Sequence, residues 1–97
     1  MAFDFEWDTG KAASNLRKHG ISFGEAATTF GDLLSITIHD PFHSEAEDRF
    51  VIVGISAHRR LLVTAFTERG DRIRIISSRS ATLNERSQYE QRLKEGG

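Results

Sequence analysis

Ninety-seven residues, 38% hydrophobic and 28% charged, with one proline and eight glycines, have the make-up of one small globular domain spanning 1–97, near the lower size limit for folding on a single core. The absence of cysteine excludes disulfides, thiolate metal sites and cysteine nucleophiles, and an acidic N-terminus without a long apolar run argues against a targeting peptide or a membrane span, so a cytoplasmic protein with no membrane partner is expected. The net charge of −1 hides an asymmetry: Ala57 to Arg79 holds six arginines against two acids, whereas Asp40 to Asp48 holds four acids and no lysine or arginine, a division that orients a polyanion on one face.

Ala2 to Trp7 alternates aromatic and acidic residues with a period of two, which predicts an edge strand. Asp8 is placed to cap a helix running to about His19, with Ala12, Ala13 and Leu16 as its buried side and Gly20 as a left-handed stop. Ser22 and Glu25 have capping-box spacing and open a second short helix, ending at Gly31, with Ala26, Ala27 and Phe30 at helical spacing. Leu33 to Ile38 reads as a strand broken by Asp40-Pro41, and an acidic loop follows. Phe50 to Ile55 is apolar on both parities, as a central strand covered on both faces should be. Leu61 to Thr67 and Arg72 to Ser78 form a hairpin across Glu68-Arg69-Gly70-Asp71, and Thr82 with Glu85 caps a last helix through about Lys94, with Leu83, Arg86, Tyr89 and Leu93 toward the sheet. The fold class is α+β: an antiparallel sheet of four to five strands, two helices before it and one after.

A hairpin turn centred on Arg69-Gly70 predicts that Thr67 faces Arg72 and Ala65 faces Arg74, so that Arg72 and Arg74 share one face beside small side chains. The same register sets Arg60 opposite Arg79, a repulsive pair that a phosphate would relieve. Arg79 then belongs to neither face of the hairpin. His19 carries an imidazole, the side-chain type suited to proton transfer near neutral pH, or else serves as a cation at a helix C-terminus, and Lys18 beside it is a phosphate ligand. Trp7 is a base-stacking candidate whose alternative place is the core. His39, Asp40, His43, Glu45, Glu47 and Asp48 are donor types a metal could use, but their spacing matches no closed site, and the expectation is a solvated loop, no metal and no cofactor.

The chain resembles BrnT toxins in an ordered series of motifs: Phe5-Glu6-Trp7-Asp8, Asn15-Leu16-Arg17-Lys18-His19-Gly20, Ser22-Phe23-Gly24-Glu25-Ala26-Ala27, the Asp40 to Arg49 region with His43-Ser44-Glu45, Arg72-Ile73-Arg74-Ile75-Ile76-Ser77-Ser78-Arg79, and Ala81-Thr82 with Glu85-Arg86 and Tyr89. The resemblance implies a RelE-like fold and a ribonuclease toxin of a type II toxin–antitoxin pair, inhibiting translation. It also implies a BrnA-type antitoxin, in a heterotetramer, through which alone operator DNA is bound. Under that reading Arg72, Arg74 and Arg79 stabilise the phosphate, His19 or Glu68 supplies the general acid or base, and Lys18, Arg60 and Trp7 bind RNA. Two rivals stay open: a non-catalytic RNA- or protein-binding module on the same basic face, and a corepressor that acts only with its antitoxin.

Overall fold

In the computed structural model, residues 3–43 and 47–96 are described. The elements are strand β1 (Asp4–Glu6), helices α1 (Thr9–His19) and α2 (Phe23–Thr28), strands β2 (Ile36–Asp40), β3 (Arg49–Ile55), β4 (Leu61–Arg69) and β5 (Arg72–Ser80), and helix α3 (Leu83–Gly96); single 3-10 turns follow α2 and β2. The strands lie in the order β1-β5-β4-β3-β2. β1 pairs in parallel with β5, while the other pairs are antiparallel. The five-stranded sheet is therefore mixed, which corrects the all-antiparallel expectation: the helical segment after β1 carries the chain to β2 at the opposite edge, and three antiparallel reversals bring β5 back alongside β1 in the same direction. β2 starts three residues later than predicted, because Leu33 and Leu34 sit in a turn held by Asp32, whose Oδ1 accepts from the Leu34 N–H at 3.0 Å.

The capping signals are realised in the structure. Asp8 accepts from the Lys11 N–H at the start of α1, and Gly20 ends it at φ +69°, a left-handed conformation that L side chains rarely adopt. Thr82 and Glu85 cap each other reciprocally. The box at α2 is only half closed, since Ser22 Oγ accepts from the Glu25 N–H but the Glu25 carboxylate turns elsewhere.

Each sheet face carries its own apolar cluster. On one, Phe23 and Ala26 of α2 pack on Ile75, with Phe5, Trp7 and Ala12 around them, and Ile52, Phe66 and Ile73 continue the layer. On the other, Tyr89 and Leu93 of α3 pack on Val53, Leu61 and Val63. Two helix faces differ from expectation. The residue of α1 turned inward is Asn15, 6% exposed, while Leu16 is half exposed. Of the four α3 residues expected to face the sheet, Tyr89 and Leu93 do so, while Leu83 and Arg86 are exposed, because Tyr89 OH donates to Asp32 Oδ2 at 2.6 Å and so fixes the helix's rotation. No described helix is long and apolar enough to cross a membrane.

Candidate functional site

The β4–β5 hairpin does not have the predicted register. Its turn is centred on Gly70-Asp71, so that Arg69 faces Arg72 and Thr67 faces Arg74, and one residue, Ile76, is bulged out between the Phe66–Ile75 and Ala65–Ser77 pairs. In an unbroken strand Arg74 and Arg79 would point to opposite faces, because side chains alternate. The bulge shifts the parity by one, so Arg72, Arg74, Ser77 and Arg79 all stand on the face that carries α3. Bulges re-aim side chains in this way beside functional sites. Arg79 consequently lies opposite Val63, not Arg60.

The part of that face not covered by α3 forms a cavity of about 280 Å³. Its floor is Val51, Val63 and Ala65; its polar rim is Arg49, Asp40, Ser77 and Arg79 from the strands, with His19 from the end of α1. Asp40 and Arg49 are cross-strand partners. An apolar-floored continuation runs past Ile38, Pro41 and Phe42 to Glu85. Arg79 is gripped by Glu85 as a two-pronged pair, Nη1 to Oε1 and Nη2 to Oε2, both 2.8 Å. That fork, opposed by partial burial, holds the Glu85 carboxyl down at about 2 and pushes the Arg79 guanidinium above its ordinary value. Arg79 keeps 43% of its side chain exposed, so it still faces the cavity.

His19 is held in register with Arg79 by Asn15. The Asn15 amide donates to Ile21 O at 2.9 Å and to Ser78 O at 2.8 Å, and its oxygen accepts from Ser78 N–H at 3.0 Å. β1 accompanies β5 only as far as Arg74, and beyond it this one side chain replaces a neighbouring strand for Ser78, the residue before Arg79. A second tie runs from Arg60, whose guanidinium pairs with the buried Glu25 carboxylate and donates to Gly20 O at 3.1 Å.

A sequence model of the family described as "Ribonuclease toxin, BrnT, of type II toxin-antitoxin system" matches residues 7–85. The chain belongs to the BrnT family. Among solved structures, the ribonuclease toxin BrnT of Brucella abortus, determined at 1.1 Å, aligns with a TM-score of 0.61 over 84% of this chain and 99% of that one, at 24% identity, a likeness of fold. No curated protein sequence matches the chain. Membership of this type II toxin family carries with it ribonuclease function, an RNA target and an antitoxin partner.

Within this BrnT fold the predicted site residues separate into two groups. His19 and Arg79 share the cavity, and Lys18 lines an adjoining one with His19. The others lie apart. Arg72 and Arg74 are on the right face but share Glu6 of β1, with Arg74 Nη1 at 2.8 Å and Arg72 Nη1 at 3.8 Å. Arg60 is committed to Glu25 on the edge of the opposite layer. Glu68 faces Ile73 near the hairpin tip, five residues along β4 from Val63 and so roughly 16 Å from Arg79. Trp7 packs edge-on to Phe23, ring centroids 6.0 Å apart, in the core. The acidic segment is likewise engaged: His39 Nε2 bonds Asp48 at 3.1 Å and Glu47 pairs with Arg69 at 2.9 Å, and among the described residues no three His, Asp or Glu side chains gather as a metal would need. His43 has its backbone in the 3-10 turn; its side chain and Glu45 lie outside the described residues. The sequence does not single out Arg49 or Ser77 for this site, and it offers Asp40 only as a metal ligand. The signal available was an acid and a base closing the two ends of one loop, at the last residue of one strand and the first of the next.

Proposed function

We propose that this chain is an endoribonuclease that cleaves RNA in the cavity between His19 and Arg79, using the ribose 2′-hydroxyl as nucleophile and no metal ion. The observation that carries the reading is the convergence of an exposed histidine with Arg79 and Arg49 around one cavity. Transesterification of this kind needs a proton removed from the 2′-oxygen, charge on the phosphate offset, and the 5′-oxygen protonated as it leaves. The nucleophile is already in the substrate, so the protein has only to supply proton transfer and cations. His19 is the side chain for the first and last tasks, acting as base, as acid, or as both in turn. Arg79, with its planar fork, and Arg49 offset the phosphate charge; one well-placed donor contributes about 3 kcal/mol to such a transition state. The Asn15 and Arg60 ties keep the imidazole beside the arginines. Arg72 and Arg74 extend the cationic face toward the hairpin tip, and Lys18 extends it along α1. Glu68 takes no part.

In the cell, cleavage of RNA would inhibit translation, and a BrnA-type antitoxin covering the cationic face, in a heterotetramer that binds operator DNA through the antitoxin alone, would silence it. Incubation of purified protein with defined RNA tests the core of this reading. Discrete products ending in 2′,3′-cyclic phosphate are expected, with or without chelator, and are lost in His19→Ala with the fold retained. Intact RNA under all conditions sinks it.

One observation favours a second reading, a non-catalytic binding module acting with its antitoxin as corepressor. Arg60, Arg69, Arg72, Arg74 and Arg79 all have a carboxylate partner in the free chain. Expression without the neighbouring reading frame separates the two: growth arrest supports the nuclease, unimpaired growth the corepressor.

A further inference from the structure

Helix α1 is amphipathic in an unusual sense. The side it turns to the outer edge of β5 is Lys11, Ser14, Asn15 and Lys18, spaced three, four and seven residues from the first, where a core-facing helix would carry apolar residues. Between that side and the strand lies a second cavity of about 190 Å³, lined by Lys11, Ser14 and Lys18 and by Ile76 and Ser77 at the bulge. His19 and Ser77 line it as well as the larger cavity that holds Arg79. The two therefore meet at the imidazole.

The electrostatics differ between the two cavities. Arg79 is balanced by Glu85, and Asp40 lines the larger cavity opposite Arg49. The second cavity has two ammonium groups and no carboxylate in its lining; Asp8 lies within electrostatic reach of Lys11 but outside that lining. β5 is also without a strand neighbour here, since β1 ends at the level of Arg74. On that outer edge Asn15 holds Ser78, and the residues of β5 that border the cavity are Ile76 and Ser77 at the bulge, the latter with its hydroxyl. The ammonium groups of Lys11 and Lys18 with the hydroxyls of Ser14 and Ser77 are a donor set for phosphate oxygens.

We propose that this cavity is a second phosphate subsite, which takes the backbone phosphate of a nucleotide flanking the one cleaved between His19 and Arg79. The proposal rests on the nuclease reading for the identity of the neighbouring site and adds the direction of the strand: the RNA passes from the Arg79 cavity, around His19, and along α1 over Lys18 toward Lys11. Its ligand is a single-stranded polynucleotide with at least two phosphates. A dinucleotide, which has one, fills the Arg79 cavity and leaves this one empty.

The test measures binding of 2′-O-methyl RNA, whose blocked 2′-oxygen prevents the proposed cleavage, by fluorescence anisotropy over a range of monovalent salt. A long oligonucleotide and a dinucleotide are compared on the full chain and on Lys11→Gln, Lys18→Gln and the double variant, with circular dichroism as the check on folding. Each lysine–phosphate contact removed should lower the slope of log affinity against log salt by about 0.7 for a single strand. The double variant should therefore lose roughly 1.4 on the long oligonucleotide and nothing on the dinucleotide. An unchanged slope, or a slope that falls equally on both ligands, overturns the subsite. Cleavage of unmodified RNA is followed in parallel: if the wild type cleaves nothing while the length-specific loss of slope is present, the nuclease reading falls and the subsite stands.

Discussion

Asn15 and Ser78 are joined through both backbone groups of the serine, 63 residues apart in the chain, by bonds of 2.8 and 3.0 Å. The third amide hydrogen bond, to Ile21 O, closes the loop after His19. One buried side chain thus completes the sheet edge, ends the helix and sets the spacing between the imidazole and Arg79. Asn15→Ala leaves the Ser78 N–H and C=O and the Ile21 carbonyl without partners, and an unsatisfied buried group costs about 1–3 kcal/mol. The expected loss is about 3 kcal/mol in the urea denaturation midpoint converted through m, with a fall in kcat that exceeds any change in KM, because misplacing the imidazole by an ångström is enough to cost on the order of a hundredfold. Asn15→Asp should be worse, since it turns an acceptor toward two carbonyls. A stable Asn15→Ala protein with wild-type kcat refutes this role.

Arg60 separates a structural from a ligand-binding cation. Its partner Glu25 has 3% of its side chain exposed and also accepts from Ser56 Oγ at 2.7 Å. Removal of the guanidinium strands a buried carboxylate, whereas removal of the neighbouring exposed Arg59 strands nothing. Arg60→Met should lower the melting temperature clearly and leave the salt dependence of RNA binding unchanged; Arg59→Met should leave the melting temperature within error. A steeper loss of RNA affinity than of stability in Arg60→Met would return Arg60 to the binding surface, where the sequence reading put it.

Acid sensitivity follows from the two carboxylates whose pKa is most lowered. The Arg60 fork, opposed by burial and helped by the Ser56 hydroxyl, brings Glu25 from an ordinary 4.5 to about 2; Arg79 does the same for Glu85. A group with a lowered folded-state pKa stabilises the fold above its unfolded value and loses that contribution as pH falls through the folded one. The melting temperature should be flat above about pH 5 and fall between pH 4.5 and pH 2. For Glu25 the change is on the order of 3 kcal/mol, a large part of the 5–15 kcal/mol typical of a whole domain. Glu25→Gln should begin less stable and show a shallower acid limb; an acid limb as steep as wild type places the sensitivity in other groups.

What the sequence made legible was local. Asp8, Gly20, Ser22, Thr82 and Glu85 act within one helical turn, and each signals a boundary that the structure keeps. The family-bearing motifs around Asn15-Leu16-Arg17-Lys18-His19-Gly20 and Arg79 lie in the site. What was not legible depended on pairing at a distance. A single bulged residue, Ile76, has no sequence marker, yet it moves Arg79 onto the face of Arg72 and Arg74 and removes it from Arg60. Hydropathy places Ala12, Ala13 and Leu16 on the buried side of α1; Ala12 does pack on the core, but Ala13 and Leu16 are exposed, and Asn15, a polar side chain that satisfies an open strand edge, is buried instead. Arg60, Arg69, Arg72 and Arg74 each meet an acid from a remote segment, which local charge counting cannot foresee.

The Arg79–Glu85 fork makes a last prediction about competition. A phosphate entering the cavity needs the same guanidinium hydrogens that Glu85 now holds, and α3 keeps Glu85 in place through the cap at Thr82. Glu85→Gln removes the charge that competes with phosphate but keeps an oxygen for the Thr82 N–H, so α3 should persist by circular dichroism while KM for RNA falls severalfold and the affinity becomes more sensitive to salt. Arg79→Ala should lower kcat/KM by about 100- to 1,000-fold, and Arg79→Lys should recover little, because an ammonium is a point charge without the planar fork. Steady-state kinetics of the three variants on one RNA decide the matter. Equal KM in Glu85→Gln and wild type, with α3 intact, would mean that Arg79 meets the phosphate without leaving Glu85, and the carboxylate would then be part of the arginine's positioning and not its competitor.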